Sequence, residues 1–359
     1  MTQGRKTLRS IRVRREATNG TPAVPRFIWR GNGDMIQDGR EVVEVEEQVG
    51  IDGGTNRTYI PKQMATLSLA ETEATYEQLA WLLQAVGLGT VATGYQGSAI
   101  GVNGSSVWHL LAFPTATTPP TASYTFEAGD PDVEVDRMPY GICTKLSLKG
   151  GGGEAVKVSA EFMGRYSEPP NAEGTFSAAG TLAVVETILA AGSAWLTPSG
   201  GAFGTGANAT PGNILGFAID IERPWEPKFA VDSGTTYFHT AVPDAFKVTG
   251  ELTFEHQKAG TFGPAGSAGQ MAKFRAQDAQ LLRLQFPGGT ISGGTANFER
   301  KLLQIDLPIK YTSVDALGDQ NGNSIRVMKW VSKYDESTPA AGRGTVSIIT
   351  RGTSVFDGA

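Results

Sequence analysis

Apolar and polar residues alternate along most of the chain, a pattern typical of strands that bury one face. In the segment QMATLSLA (63–70), Ala65, Leu67 and Leu69 share one face. The same alternation recurs in four further segments: AVKVSAEF (155–162), FKVTGELTF (246–254), LLQIDL (302–307) and VSIIT (346–350). Because the 46 Gly and 19 Pro residues divide the chain into short segments, the pattern predicts antiparallel β structure.

Two segments predict helices. Thr75 is a candidate N-cap with Gln78 three residues later, the spacing of a capping box, and Gly87 supplies a stop. Between them, apolar residues recur at helical spacing: Tyr76, Leu79, Leu83 and Val86. A second, weaker pattern predicts a helix over 268–277, and a short helix is predicted over 182–190.

The predicted elements occur twice in the same order. In each half a strand leads into a helix, and three strands follow. This order predicts a tandem duplication of one small β-sandwich with a flanking helix, with two unrelated β domains as the alternative. The predicted organisation is an N-terminal interaction arm (1–24), a first domain (25–166), a linker or loop (167–213) and a second domain (214–352).

Charge is segregated along a chain whose net charge is −5, from 31 basic and 36 acidic residues. This balance argues against a protein that coats nucleic acid. The basic arm contains Arg5, Lys6, Arg9, Arg12, Arg14 and Arg15. One acidic segment contains Glu41, Glu44, Glu46 and Glu47, and another contains Glu127, Asp130, Asp132, Glu134 and Asp136. These charged segments are either solvated faces or complementary contacts between subunits. DNA binding by the arm is the third interpretation, after these two.

Residues for catalysis or metal binding do not form a recognisable motif. The three histidines, His109, His239 and His256, lack metal-ligand spacing, and no nucleophile motif accompanies them. The run 150–153 is glycine-rich but precedes a strand pattern, so it predicts a hairpin turn and not a phosphate loop. The sequence therefore predicts no enzyme, no cofactor and no metal.

The cysteine content and the N-terminal sequence indicate where the protein is made. Cys143 is the single cysteine, and its alternating context predicts a buried core residue. No disulfide framework is possible within the chain, which favours synthesis in a reducing cytoplasm. The N-terminus lacks the apolar region of a secretory signal, and no run approaches the ~20 apolar residues of a membrane-spanning helix.

Three segments carry a resemblance to a known family: TYEQLAWLLQAVGLG (75–89), ASYTFEAGDPD (122–132) and MPYGICTKLSLKGGGGEAVKVSAEFMGR (138–165). In this order they resemble the tail tube proteins of siphophages. The resemblance covers 25–166 clearly. It covers 212–350 more loosely, through FKVTGELTFEH and FERKLLQIDLPIKY.

The resemblance implies a β-sandwich whose inner sheet joins those of neighbouring subunits in a ring-shaped barrel. Rings stack into a hollow tube in the virion tail, through which DNA passes without specific binding. A duplicated chain would need three subunits to present six domains, so a pseudo-sixfold trimer is preferred over a hexamer. With 24 inner strands, the wall would be about 48 Å across. The implied partners are other copies, the tape measure, the tail terminator and the tail tip.

Two other functions fit the sequence. The first is a different β-rich virion protein, such as a tail terminator, a tail-tip ring or a decoration protein. The second is a carbohydrate-binding or carbohydrate-cleaving β protein that would use tryptophan as a stacking platform. The candidate tryptophans are Trp81, Trp108, Trp195, Trp225 and Trp330.

Overall fold

The protein is mainly β in the part of the chain that the computed structural model describes. That part comprises residues 8–47, 57–96, 106–113, 122–182, 185–204, 213–231, 234–256, 269–291, 299–320, 322–334 and 342–351. Within it the chain forms 21 strands and two helices, as the alternating patterns predict.

The bounds of the elements, in chain order, are as follows. The first half contributes β1 (Ser10–Arg15), β2 (Phe27–Ile28), β3 (Gln37–Asp38), β4 (Glu41–Glu44), β5 (Thr58–Lys62), β6 (Ala65–Glu73), α1 (Tyr76–Ala85), β7 (Gly89–Gln96), β8 (Ser106–Ala112), β9 (Tyr124–Asp130), β10 (Glu134–Gly151) and β11 (Lys157–Gly164). The second half contributes β12 (Ser193–Pro198), β13 (Ile214–Glu222), β14 (Trp225–Lys228), β15 (Thr240–Pro243), β16 (Lys247–Glu255), α2 (Gln270–Ala276), β17 (Gln280–Thr290), β18 (Arg300–Val314), β19 (Gly318–Gln320), β20 (Asn323–Ser332) and β21 (Thr345–Arg351).

The start and end of α1 follow from its predicted caps, with one difference. The Thr75 hydroxyl accepts a hydrogen bond from the Gln78 amide at 3.3 Å, and Gly87 adopts φ +98° just beyond the helix. The Gln78 side chain does not complete a capping box, because its amide donates to the Ile28 carbonyl and its oxygen accepts from the Arg30 amide. Gln78 therefore ties the helix to the segment after β2.

The short helix predicted over 182–190 is wrong for the residues described there. Three backbone hydrogen bonds hold this segment extended. The Tyr76 amide donates to the Glu186 carbonyl, and the Val156 amide donates to the Ile188 carbonyl. The Ile188 amide donates to the Ala74 carbonyl. An extended segment can saturate the backbone groups beside the start of α1, which a local helix would leave unpaired. Tertiary pairing thus overrides the local helix pattern.

One continuous sheet runs through both halves of the chain. Its ladder order is β3–β6–β11–β10–β13–β16–β20–β18, and every neighbouring pair is antiparallel. Further ladders branch from the two longest strands: β10 pairs with β9 and then β1, while β18 pairs with β17 and then β12. None of the ladders among the described residues closes this sheet on itself, so the described part of the chain does not form a closed barrel.

The same ladder order occurs in each half. In the first half the strands pair as β6–β11–β10–β9–β1, and in the second as β16–β20–β18–β17–β12. Each set is interrupted at an equivalent place: a register shift follows Cys143 in β10 and Tyr311 in β18.

Similar hydrogen bonds also occur at these places in the two halves. The hydroxyls of Thr144 and Thr312 each donate, at 3.2 Å, to a carbonyl on the neighbouring strand. The acceptors are Glu161 and Lys329. Beyond these strands, the amide of Arg165 donates to Pro139 at 3.1 Å, and the amide of Lys333 donates to Pro308 at 3.2 Å.

A single large apolar cluster lies on one face of the continuous sheet. It takes Leu67 and Phe162 from the first half, and Leu252 and Trp330 from the second. The helix α1 is buried on all sides within this cluster, with the Trp81 ring 6.1 Å from that of Phe162. Burial of this much apolar surface is the main force that holds the two halves together.

The joint between the halves and the open ends of the sheet

The two halves meet where β10 pairs with β13. Their register runs from Lys145 opposite Glu222 to Gly151 opposite Gly216. On the core face of this joint, apolar side chains are fully buried: Leu146, Leu148, Ile219 and Ile221. On the other face, Ser147 donates to Asp220 at 2.5 Å, and Lys145 lies 3.6 Å from Glu222. The joint thus combines an apolar side with a polar side.

The helix α1 reinforces the joint through a buried ion cluster. The Lys301 ammonium, on β18, pairs with Glu77 of α1 and lies 3.1 Å from Glu186. Glu186 also accepts from the Gly289 amide at 2.6 Å, so this cluster links four separate segments. Because Lys301 and Glu77 are largely removed from water, each depends on its partner.

A hairpin from the second half covers one end of the first. The strands β14 and β15 form this hairpin, which buries Trp225 and Phe238 against Tyr140, Ile142 and Met163. The Trp225 indole donates to the Cys143 carbonyl at 3.1 Å. This small cluster lies on the face of the sheet opposite the main core.

Arg165 clamps the same hairpin from the side of the first half. Its guanidinium lies 4.5 Å from the Tyr140 ring and 5.4 Å from the Tyr237 ring, and it donates to the His239 carbonyl at 2.6 Å. Beside it, the rings of Tyr166 and Tyr237 pack 4.9 Å apart. An arginine held between aromatic rings gains cation–π attraction as well as hydrogen bonds.

β18 forms one end of the sheet. The edge of β18 that corresponds to the β13-paired edge of β10 has no partner strand among the described residues. Among the described residues, 310–314 pair with β20 alone, and the following side chains are exposed, including Leu317 at 54%. The helix α2 beside it also differs from α1, since only its Gln270 is buried. An open strand with unpaired backbone groups is a ready template for another chain.

The opposite end of the sheet is open as well. There the segment 33–39 runs alongside β6. Gln37 and Asp38 lie opposite Thr66 and Ala65, and the Asp34 amide donates to the Ser68 carbonyl at 2.9 Å. In the described chain β3 pairs with β6 alone. The next hairpin, β4–β5, exposes Val42 by 58% and Tyr59 by 54%.

The basic residues of the predicted arm are partly built into the fold. Arg5 and Lys6 lie outside the described residues, and Arg9 is exposed. Arg12, Arg14 and Arg15 lie in β1, which pairs with β9. The Arg12 guanidinium stacks 3.5 Å from the Phe176 ring, and burial lowers its pKa, partly offset by Glu127. From residue 10 onward, this segment is therefore a strand of the subunit and not a free arm.

The first acidic segment is exposed and lies in the β4–β5 hairpin. Glu41, Glu44 and Glu46 are exposed, while Glu47 is half-buried and pairs with Arg57 across the hairpin. Among the ion pairs between described residues, none joins these carboxylates to Arg12 or Arg15. Their position suits contact with another molecule.

The second acidic segment is divided between buried and exposed positions. Glu127 is fully buried and accepts hydrogen bonds from Ser177, and Asp130 is also buried, so neither offers its carboxylate to a channel. Asp132 and Glu134 are exposed. Burial, followed by the nearby Glu134, raises the pKa of Asp136. Glu127 and Asp130 lie on β9, Asp132 lies in the turn that follows, and Glu134 and Asp136 lie at the start of β10, outside the β10–β13 joint.

Chemistry of an enzyme is not apparent in the described part of the molecule. Cys143 is buried as predicted, and its burial raises the pKa of the thiol. The described residues contain no group of His, Cys, Asp and Glu that could hold a metal ion. None of the described helices is long and apolar enough to cross a membrane.

Most of the described tryptophan side chains offer little to a carbohydrate ligand. Four of them are buried: Trp29, Trp81, Trp225 and Trp330. Trp195 is half-buried, and the side chain of Trp108 lies outside the described residues. A stacking platform needs an exposed ring face, which the four buried residues do not provide.

The comparison with protein families identifies the chain. No individual curated protein matches it. A family model described as phage tail tube protein matches residues 8–348, nearly the whole chain and both of its halves. Proteins of this family are structural components of the virion tail. With its β-rich fold and open sheet ends, the chain belongs to the phage tail tube protein family.

Proposed function

We propose that this chain is a tube subunit made of two tandem tail-tube domains, and that it polymerises by joining sheet edges. The observation that supports this most strongly is the β10–β13 ladder, in which one half continues the sheet of the other. Among the described residues, the two remaining ends carry the same elements in unpaired form. The end of β18 corresponds to β10, and the segment 33–39 corresponds to β13.

The equivalence of the two halves also supplies a register for the contact between copies. Lys145 corresponds to Ser313, and Ile221 corresponds to Asp38, because each holds the same place in its ladders. Residues 313–319 of one copy would then pair with 33–39 of the next. This contact would remove both exposed edges at once, which is how a closed ring protects its strands.

Three copies joined in this way would present six domains, so we favour a trimeric ring with pseudo-sixfold symmetry over a hexamer. The face of the sheet opposite the core would line the channel. Over β6, β10, β11, β13, β16 and β20, that face carries seven carboxylates (Glu71, Glu73, Glu161, Asp220, Glu222, Glu251 and Glu255) and five lysines (Lys145, Lys149, Lys157, Lys247 and Lys329). An excess of acid would keep the phosphates of passing DNA from binding tightly.

The remaining expectations belong to this proposal. Stacked rings would conduct DNA during ejection from a siphophage-like tail made in the host cytoplasm. The tape measure, the tail terminator and the tail tip would contact the tube. Residues 1–9, which carry Arg5, Lys6 and Arg9, would bridge to a neighbouring ring, with their basic charge attracted to acidic surfaces.

The edge contact can be tested with Val314→Pro. The Asp315 amide donates to Val327 on β20, so the amide of Val314 points to the other, open side of β18. Proline removes that donor and adds a ring, which should raise the critical concentration for tube formation about a hundredfold. Electron microscopy and sedimentation measure this effect.

The matched control is Val231→Pro, a proline at an exposed position outside the strands. It should form tubes like the unmodified protein, and both variants should unfold at nearly the same denaturant concentration. Tubes of normal length and number from Val314→Pro would contradict the edge contact. Absence of tubes or rings from the unmodified protein would contradict the proposed function itself.

A further inference from the structure

We infer that the β4–β5 hairpin of one copy docks on a surface of the next copy formed by Lys310, Val331, Lys333 and Tyr334. This inference rests on the proposed function, since it assumes that copies join end to end. It adds a partner for an exposed acidic hairpin that the sheet ladders leave unexplained. The occupant is a second copy of this chain, because the chain already contains a covalently linked example of the same contact.

That internal example is the β14–β15 hairpin on the first half. Its receiving surface is formed by Ile142, Met163, Arg165 and Tyr166. The ladder pairs Ile142 with Met163 and Lys310 with Val331 hold the same place in the two halves. Two residues further along, the correspondence continues, because the amides of Arg165 and Lys333 make matching bonds to the carbonyls of Pro139 and Pro308. Tyr166 and Tyr334 follow directly.

The hairpins correspond in the same way. Asp38 lies opposite Ala65, as Ile221 lies opposite Val248, so counting forward places Val42 at the position of Trp225. Glu44 then takes the position of Pro227. The pairing within each hairpin agrees with this correspondence, since Glu44 lies opposite Thr58 and Pro227 lies opposite Ala241. The docking face of the first hairpin therefore contains Val42, Glu44 and Glu46, which alternate along the strand.

The chemistry of the two contacts differs in a complementary manner. Where the internal contact buries Ile142 beneath Trp225, the open surface presents half-buried Lys310, and Lys333 is exposed nearby. Opposite them, the hairpin presents exposed Glu44 and Glu46 in place of apolar residues. The hairpin thus carries acidic groups, and the receiving surface carries basic groups. They keep each surface hydrated in the free subunit and select the correct partner on assembly.

The isolated state of the β4–β5 hairpin supports the same conclusion. Its ladder consists of β4 and β5 alone among the described strands, whereas a two-stranded hairpin by itself is marginally stable in water. Val42 and Tyr59 are more than half exposed. Docking on a neighbouring copy would bury the Val42 side of this hairpin, as docking within the chain buries Trp225.

A charge exchange tests the contact. Glu44→Lys combined with Glu46→Lys should raise the critical concentration for assembly about tenfold, because attraction becomes repulsion. Lys310→Glu combined with Lys333→Glu should do the same. All four substitutions together should restore assembly to within about threefold of the unmodified protein. Glu41→Lys, on the opposite face of the hairpin, is the matched control and should have little effect.

A cysteine pair supplies a second measurement that does not depend on charge. Val42→Cys with Val331→Cys should form disulfides between copies in assembled material, seen as covalent oligomers on a nonreducing gel. The buried Cys143 gives little background. Each single cysteine variant is a control. Circular dichroism establishes that each variant is folded before assembly is compared.

The outcomes separate this inference from the proposed function. Restored assembly in the fourfold variant and cross-linking of the cysteine pair support the docking. Normal assembly after charge reversal of the hairpin, no restoration in the fourfold variant, or tubes without cross-links would overturn it while leaving the tube function intact. If the unmodified protein forms no rings or tubes, the proposed function fails, and the docking fails with it.

Discussion

The joint between the two halves and the open ends of the sheet are built from corresponding elements but differ in chemistry. At the joint, Ile219, Ile221 and Trp225 are buried against the first half. At the open end, Val314 and Lys310 are half-buried, and Leu317 and Lys333 are exposed. The same set of strands can thus form either a permanent apolar contact or a hydrated edge.

With the assembly that we propose, covalent linkage explains the difference. Two halves of one chain meet at a high effective concentration, so their contact forms during folding and can be as apolar as a core. A contact between separate molecules must tolerate water until it forms. Exposed apolar edges aggregate, and charged side chains on the edge prevent this. The comparison predicts that matched substitutions will affect folding at the joint and assembly at the open ends.

The largest expected effect on folding is at the ion cluster of the joint. Lys301→Met should lower the free energy of unfolding by about 3–5 kcal/mol, because it leaves the carboxylate of buried Glu77 without its cation. Lys329→Met is the matched control: Lys329 is exposed and lies 3.4 Å from Asp315, a pair worth less than about 1 kcal/mol. Denaturant unfolding measures both. Equal costs would break the comparison.

The second-largest effect on folding is expected on the apolar side of the joint. Ile219→Ala should cost about 2–4 kcal/mol, since it removes buried methyl groups and leaves a cavity between the halves. Val314→Ala, at the open end, should cost less than about 1 kcal/mol because Val314 is half-buried. The same unfolding experiment ranks the two. A larger cost for Val314 would mean that the open end is already a packed interface within the subunit.

The contacts of Arg165 with the β14–β15 hairpin should contribute less to the free energy of unfolding. Arg165→Ala removes two cation–π contacts and the bond to His239, and should cost about 1–2 kcal/mol. Its counterpart Lys333→Ala should leave unfolding within about 0.5 kcal/mol and weaken assembly instead. Hydrogen exchange over 225–243 should rise in the first variant alone. Increased exchange there in Lys333→Ala would argue against their different roles.

The smallest effect concerns the polar face of the sheet. The hydrogen bond from Lys149, with a further contribution from Lys157, lowers the pKa of Glu71. A lowered folded-state pKa gives stability that is present above the ordinary pKa and is lost as pH falls through the lowered value. Because Glu71 is exposed, this contribution should stay below about 0.5 kcal/mol.

A titration followed by nuclear magnetic resonance measures the Glu71 effect directly. Lys149→Ala should move the pKa of Glu71 upward, toward its ordinary value. Lys247→Ala, on the same face but not paired with Glu71, is the control. An unchanged pKa in Lys149→Ala would show that the ion pair does not form in solution.

Local patterns in the sequence were sufficient for most elements. The alternation of residues 65–70 and 246–254 predicted β6 and β16, and the spacing around Tyr76 predicted α1 with its stop at Gly87. Strand and helix patterns have fixed periods, so they can be read without knowledge of the fold. The resemblance to tail tube proteins is confirmed by the family match across residues 8–348.

The sequence did not reveal which residues meet across long distances. The pairing of β10 with β13, the burial of Glu127 and the contact between Lys301 and Glu77 join residues far apart in the chain. Charge segregation suggested a basic arm, yet Arg12 is committed to a strand, and the correspondence of Lys310 with Ile142 emerges only from the ladders. Periodicity decides which residues face inward, whereas only tertiary packing decides what they face.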